Sequence, residues 1–68
     1  MSPNDPLAGT VKLSRPAHGA LAHAGIKTFA DLAKWTQKDV AALHGVGPKS
    51  FPELTAALTE RGLAFRQP

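Results

Sequence analysis

Three glycines, each followed by an aliphatic residue, punctuate this 68-residue chain and limit it to short helices. Gly25-Ile26, Gly45-Val46 and Gly62-Leu63 share the pattern of a helix stop, in which the glycine reverses the backbone and the next side chain folds back on the helix. Ile26 is placed to touch Leu21, and Leu63 to touch Leu58. Starts alternate with these stops. Thr28-x-x-Asp31, Thr36-x-x-Asp39 and Ser50-x-x-Glu53 each set a hydroxyl three residues ahead of a carboxylate, the spacing of a capping box. Ser14 provides a fourth start, with Pro16 in the first turn where a missing N–H costs little. The expected helices run from Ser14 to about Ala24, over Phe29–Lys34 and Gln37–His44, and from about Pro48 to Arg61. Pro52 suits the last of these if a tight turn becomes α-helical at Ser50.

At this length only one domain fits, and below ~70–80 residues a single core supplies a few kcal/mol of net stability. The expected core is Leu13, Leu21, Ile26, Phe29, Leu32, Val40, Leu43, Val46, Phe51, Leu54, Leu58 and Leu63. Residues 1–12 carry Pro, Asn, Asp, Gly and Thr without an apolar period, so they read as a flexible lead-in to a domain over 13–66. Met1 ahead of that lead-in favours a small stand-alone protein. The absence of cysteine excludes disulfides and thiolate metal ligands. No run is long or apolar enough for a signal sequence or a membrane span, which points to the cytoplasm, and to the nucleoid if the protein binds DNA.

Gly45-Val46-Gly47-Pro48-Lys49-Ser50 holds most of the functional information. One glycine would suffice to end a helix. A second, followed by Pro-Lys-Ser, prepares a tight corner and a new helix whose free N–H groups, dipole and Lys49 ammonium attract an anion. This stretch resembles the helix-hairpin-helix motif of DNA-binding proteins, whose Gly-hydrophobic-Gly turn presents backbone amides to a phosphate. An internal echo lies 22 residues earlier, where Lys27-Thr28-Phe29-Ala30-Asp31-Leu32 matches Lys49-Ser50-Phe51-Pro52-Glu53-Leu54, and Gly25 matches Gly47. Two related helix-hairpin-helix units around a shared core are therefore expected, the first lacking a second glycine.

From Leu13 to Phe65 the order of elements resembles the C-terminal domain of the bacterial RNA polymerase alpha subunit. The matching residues include Leu13-Ser14, Ala24-Gly25-Ile26, Thr28-Phe29-Ala30-Asp31-Leu32, Val46-Gly47-Pro48-Lys49-Ser50 and Arg61-Gly62-Leu63. The resemblance implies an all-α, SAM-like bundle of four to five short helices that binds DNA in the minor groove and contacts transcription activators. Carried over by position, the family's DNA-contacting residues fall on Gly47, Lys49, Ser50 and Glu53. Two positions depart from the family. Pro16 stands where a groove-reading arginine is expected, and Gly19 where a contacting asparagine is expected; Arg15 lies one residue earlier but about 100° around the helix.

The candidate DNA-binding set is therefore Gly45, Val46, Gly47, Lys49 and Ser50, joined by Arg15 and by Lys27, the echo of Lys49. Net charge is +3, without a basic block, so binding must come from geometry more than from bulk charge. Lys12 reads as a solubility residue. His18, His23 and His44 lack the spacing and companions of a metal set, and no cofactor is expected. Asp31, Asp39 and Glu53 are accounted for as caps, and no Ser has an evident base, which argues against an enzyme. Two functions remain: a non-enzymatic DNA-binding domain, or an interaction module that docks RNA polymerase, a transcription factor or a second copy of itself.

Overall fold

A computed structural model describes residues 1–67, and within them four helices form: α1 (Arg15–His23), α2 (Phe29–Leu32), α3 (Gln37–Ala41) and α4 (Ser50–Glu60). The all-α expectation holds. Among the described residues the only β feature is an isolated antiparallel bridge between Pro6 and Thr28.

Each helix begins and ends for a local reason. The Ser14 side chain accepts from the Ala17 N–H at 3.3 Å and fixes the start of α1, with Pro16 in its first turn. Ile26 N donates to Leu21 O at 2.9 Å and Gly25 N to Ala22 O at 3.0 Å, the paired bonds of a Schellman stop. The same pair closes α4, from Leu63 N to Leu58 O at 2.8 Å and from Gly62 N to Thr59 O at 3.0 Å. Thr28 and Asp31 form a reciprocal capping box on α2. At α3 the Thr36 side chain accepts from Asp39 N at 3.0 Å.

Two helices are shorter than expected. Beyond Leu32 the backbone tightens into turns, with Lys34 N bonded to Asp31 O and Trp35 N to Leu32 O. Beyond Ala41 the bond from Leu43 N to Val40 O does the same. Gly45 is therefore not the stop of α3, and only two of the three Gly-aliphatic pairs share one chemistry.

The core is centred on Phe29, Leu21, Ile26, Leu32, Leu54, Leu58 and Val40, all fully buried. Leu13, Leu43 and Leu63 pack at its edge, as do Trp35 and Phe65. Phe65 meets Phe51 with ring centroids 5.8 Å apart, and Arg66 N donates to Trp35 O at 2.9 Å, so the segment after α4 returns to the bundle.

Residues 1–12 differ from the expected flexible lead-in. Leu7 and Val11 are buried members of the core. The segment runs antiparallel to the α1–α2 turn, with Leu7 N donating to Lys27 O at 2.9 Å, Phe29 N to Asp5 O at 3.3 Å and Ala30 N to Pro3 O at 2.7 Å. Arg61, its side chain only 5% exposed, reaches back to Asp5 with Nη2 at 3.1 Å while its guanidinium lies 4.1 Å over the Phe29 ring. Helices as short as α2 and α3 leave the core open on one side, and two aliphatic side chains spaced by four residues close it.

Candidate nucleic-acid interface

The α3–α4 turn and the start of α1 meet because of Gly45. Its φ is +104°, and a Cβ built there would stand 2.7 Å from the Pro16 carbonyl oxygen. No other residue allows that approach without displacing backbone. Gly45 therefore serves an internal contact. Its backbone lies against α1, and between the two elements opens a cleft of about 480 Å³ lined by Lys12, Ser14, Pro16, Gly47, Lys49 and Ser50, among others. None of its lining residues is acidic.

Not all the corner's donors are free. Val46 N is bonded to Leu43 O at 3.2 Å, Ser50 N to Gly47 O at 3.1 Å and Phe51 N to Pro48 O at 3.4 Å. Among the described residues, the N–H groups of Gly47 and Lys49 have no such acceptor. Gly47, the exposed Lys49 and Ser50 at the start of the 11-residue α4 line one concave surface together with Lys12.

The expected Ser50-x-x-Glu53 capping box does not form. Lys49 occupies the cap position with helical φ and ψ of −70° and −15°, and α4 has no side-chain cap. The turn bonds from Gly47 and Pro48 already carry helical geometry into Ser50, so its hydroxyl is inside the helix rather than ahead of it. Pro52 falls at the third helical position, where no intrahelical donor is needed. Val46 is 7% exposed and belongs to the core, and Ser50 is 8% exposed with only its edge on the cleft.

Arg15 and Lys27 lie elsewhere. Both line a separate cleft between residues 6–8 and α1. The Lys27 backbone also differs from that of Lys49, because its N–H and that of Thr28 both donate to Asp31 Oδ2 at 3.2 Å. Those bonds hold the Asp31 carboxyl below its ordinary value of 3.8. Lys12 joins the first cleft unanticipated. Its position two residues ahead of the Ser14 cap was the available signal, since a residue there must flank the first turn of α1. Pro16 contributes its ring and carbonyl to the cleft but no charge, and Gly19 lines the other one.

Four short helices around one core, with the starts of α1 and α4 converging on a basic cleft, define an all-α domain of the type found at the end of polymerase alpha subunits. The family model for the C-terminal domain of the bacterial RNA polymerase alpha subunit matches residues 9–60, and the protein belongs to that family. Among curated relatives, it is 43% identical over 53 residues to the DNA-directed RNA polymerase subunit alpha of Aster yellows witches'-broom phytoplasma, covering 78% of this sequence and 16% of the relative. It is 38% identical over 55 residues to that of Bacillus velezensis, covering 81% and 18%. For Moorella thermoacetica the figures are 37% over 54 residues, covering 79% and 17%. The matched region thus spans less than a fifth of the length of these relatives. Among the described residues no helix is long and apolar enough to cross a membrane.

Proposed function

We propose that this protein is a non-enzymatic, transcription-related DNA-binding domain that holds the phosphate backbone in the cleft between α1 and the α3–α4 corner. The corner serves as a helix-hairpin-helix. The observation that carries the reading is the pairing of two unbonded amides, Gly47 N and Lys49 N, with Lys49 and Lys12 around a cleft free of lining acids. A phosphate oxygen seated there would accept from backbone donors while two ammonium groups neutralise its charge. Lys12 offsets part of the charge lost at Pro16. Minor-groove reading is not part of the proposal, because no long cationic side chain stands at that position.

Few charges take part, so affinity is weak and salt-dependent. With ~2–3 phosphates neutralised, log K falls against log salt with a slope of about −2 to −3, and the dissociation constant lies near ~10⁻⁴–10⁻⁵ M. Amide shifts in a duplex titration at two salt concentrations should cluster on Gly47, Lys49 and Ser50. Lys49→Glu should remove at least ten-fold of the affinity while leaving the fold intact, because Lys49 is exposed. Shifts confined to other surfaces would overturn the assignment.

A further inference from the structure

The second cleft has a different chemistry from the first. It encloses about 450 Å³, within the range of small ligand pockets, and apolar side chains make up most of its wall. Leu7, Leu21 and Ile26 form its buried floor, and Ala8 and Ala22 its sides. Arg15, at the first residue of α1, and Lys27, beyond its last, are both exposed and stand at the two ends of the helix face.

Neither neighbouring carboxylate neutralises them. Asp31 is occupied by the Lys27 and Thr28 amides, and Asp5 by Arg61. No lining residue is acidic.

Gly19 adds an independent observation. It sits in the middle of α1 on the face that lines the cleft, its φ is not positive, and a Cβ placed on it would meet nothing within 4 Å. A glycine inside a helix weakens that helix relative to alanine, and nothing within the fold requires one here. It does, however, lay bare the α1 backbone where the cleft is open.

We propose that this cleft docks an extended acidic peptide, one apolar side chain seated over Leu7, Leu21 and Ile26 and against the Gly19 backbone, with carboxylates on either side meeting Arg15 and Lys27. Nucleic acid fits this surface less well. The apolar floor offers a phosphodiester no donor, the Lys27 N–H is taken by Asp31, and the Ala17 N–H by Ser14. This proposal does not depend on DNA binding at the first cleft.

The test uses the purified protein and a blocked hexapeptide, Glu-Asp-Leu-Leu-Glu-Asp, followed by amide shifts and calorimetry at low salt. Shifts should map to residues 6–8, Gly19, Ala22 and Lys27, and replacing both leucines of the peptide by serine should weaken binding at least five-fold. Arg15→Glu combined with Lys27→Glu should weaken it at least ten-fold. Gly19→Ala should raise the melting temperature yet weaken the peptide at least three-fold, a combination that a purely structural role for Gly19 does not produce. Lys49→Glu should leave peptide binding within two-fold of the parent. The proposal is overturned if the peptide shifts map to Lys12 and Lys49, if the serine peptide binds equally well, if Gly19→Ala binds as tightly as the parent, or if duplex DNA rather than the peptide perturbs Gly19 and Lys27.

Discussion

Two corners of this molecule are written in nearly the same residues and end in opposite electrostatic states. At Gly25-Ile26-Lys27-Thr28 the glycine is left-handed, the threonine caps α2, and Asp31 folds back to accept from the Lys27 and Thr28 amides. At Gly47-Pro48-Lys49-Ser50 the glycine has an ordinary φ, the serine lies inside the helix, and α4 has no side-chain cap. One corner satisfies its donors with its own carboxylate. The other leaves two of them to the solvent. The difference starts with proline: Pro48, and the bonds that Ser50 N and Phe51 N donate to the Gly47 and Pro48 carbonyls, bring helical geometry forward, so Ser50 cannot act as Thr28 does. A sequence echo thus carries residue types from one corner to the other but not the bonding state of their amides.

Substitutions at matched positions would sharpen or break this contrast. The largest expected effect is at Gly45, which fixes the second corner to α1. Gly45→Ala forces a left-handed φ on a side chain and a collision with the Pro16 carbonyl, and should cost about 3 kcal/mol in chemical denaturation. Next come the hydroxyls. Thr28→Ala should cost about 1 kcal/mol by loss of a cap, whereas Ser50→Ala, with no cap to lose, should stay within ~0.5 kcal/mol. Equal costs would mean that both corners are capped alike.

Gly47 gives a smaller and opposite change. With open space around it and an ordinary φ, Gly47→Ala should stabilise the fold by ~0.4–1 kcal/mol through the unfolded chain while weakening DNA binding, since a methyl group would crowd an unbonded amide. The smallest effect is that of acid. Asp31 is held below 3.8 by the Lys27 and Thr28 amides, so its contribution is present at pH values above that figure and fades as pH falls through the lowered value. A pH series of melting temperatures should show this loss below about pH 4, and Asp31→Asn should remove that part of the pH dependence.

The helix starts at Ser14, Thr28 and Thr36 were readable from residue spacing because a cap is a local device, decided within four residues. The same spacing misled at Ser50, where a preceding Pro-containing turn decided the geometry first. Ala57 escaped the expected core because a small side chain gives little apolar signal, although it is buried, as is Ala17 on the small-residue face of α1. Leu7 and Val11 escaped it because their partners are distant in sequence: Leu7 bonds Lys27, and Asp5 meets Arg61. Within the candidate site, Lys49 was legible from its place after Gly-Pro, whereas Lys12 was legible only as a flank of the first turn of α1, and its sharing a cleft with Lys49 depended on the contact between Gly45 and Pro16. Arg15 was grouped with the corner as the neighbour of Pro16 and Lys27 as the echo of Lys49, and both line the cleft on the other side of α1.

The pairing of Asp5 with Arg61 has a consequence for the order of assembly. During synthesis the carboxylate is made 56 residues before its guanidinium partner, and the Leu7 side chain long before Leu54 and Leu58. The α1–α2 half can form its own stops and caps as it emerges, but its exposed side stays unsealed until the far end of the last helix is released. Completion of the core is thereby coupled to the appearance of a single late arginine, and a nascent polypeptide arrested before it would present Phe29 without the cation that covers its ring.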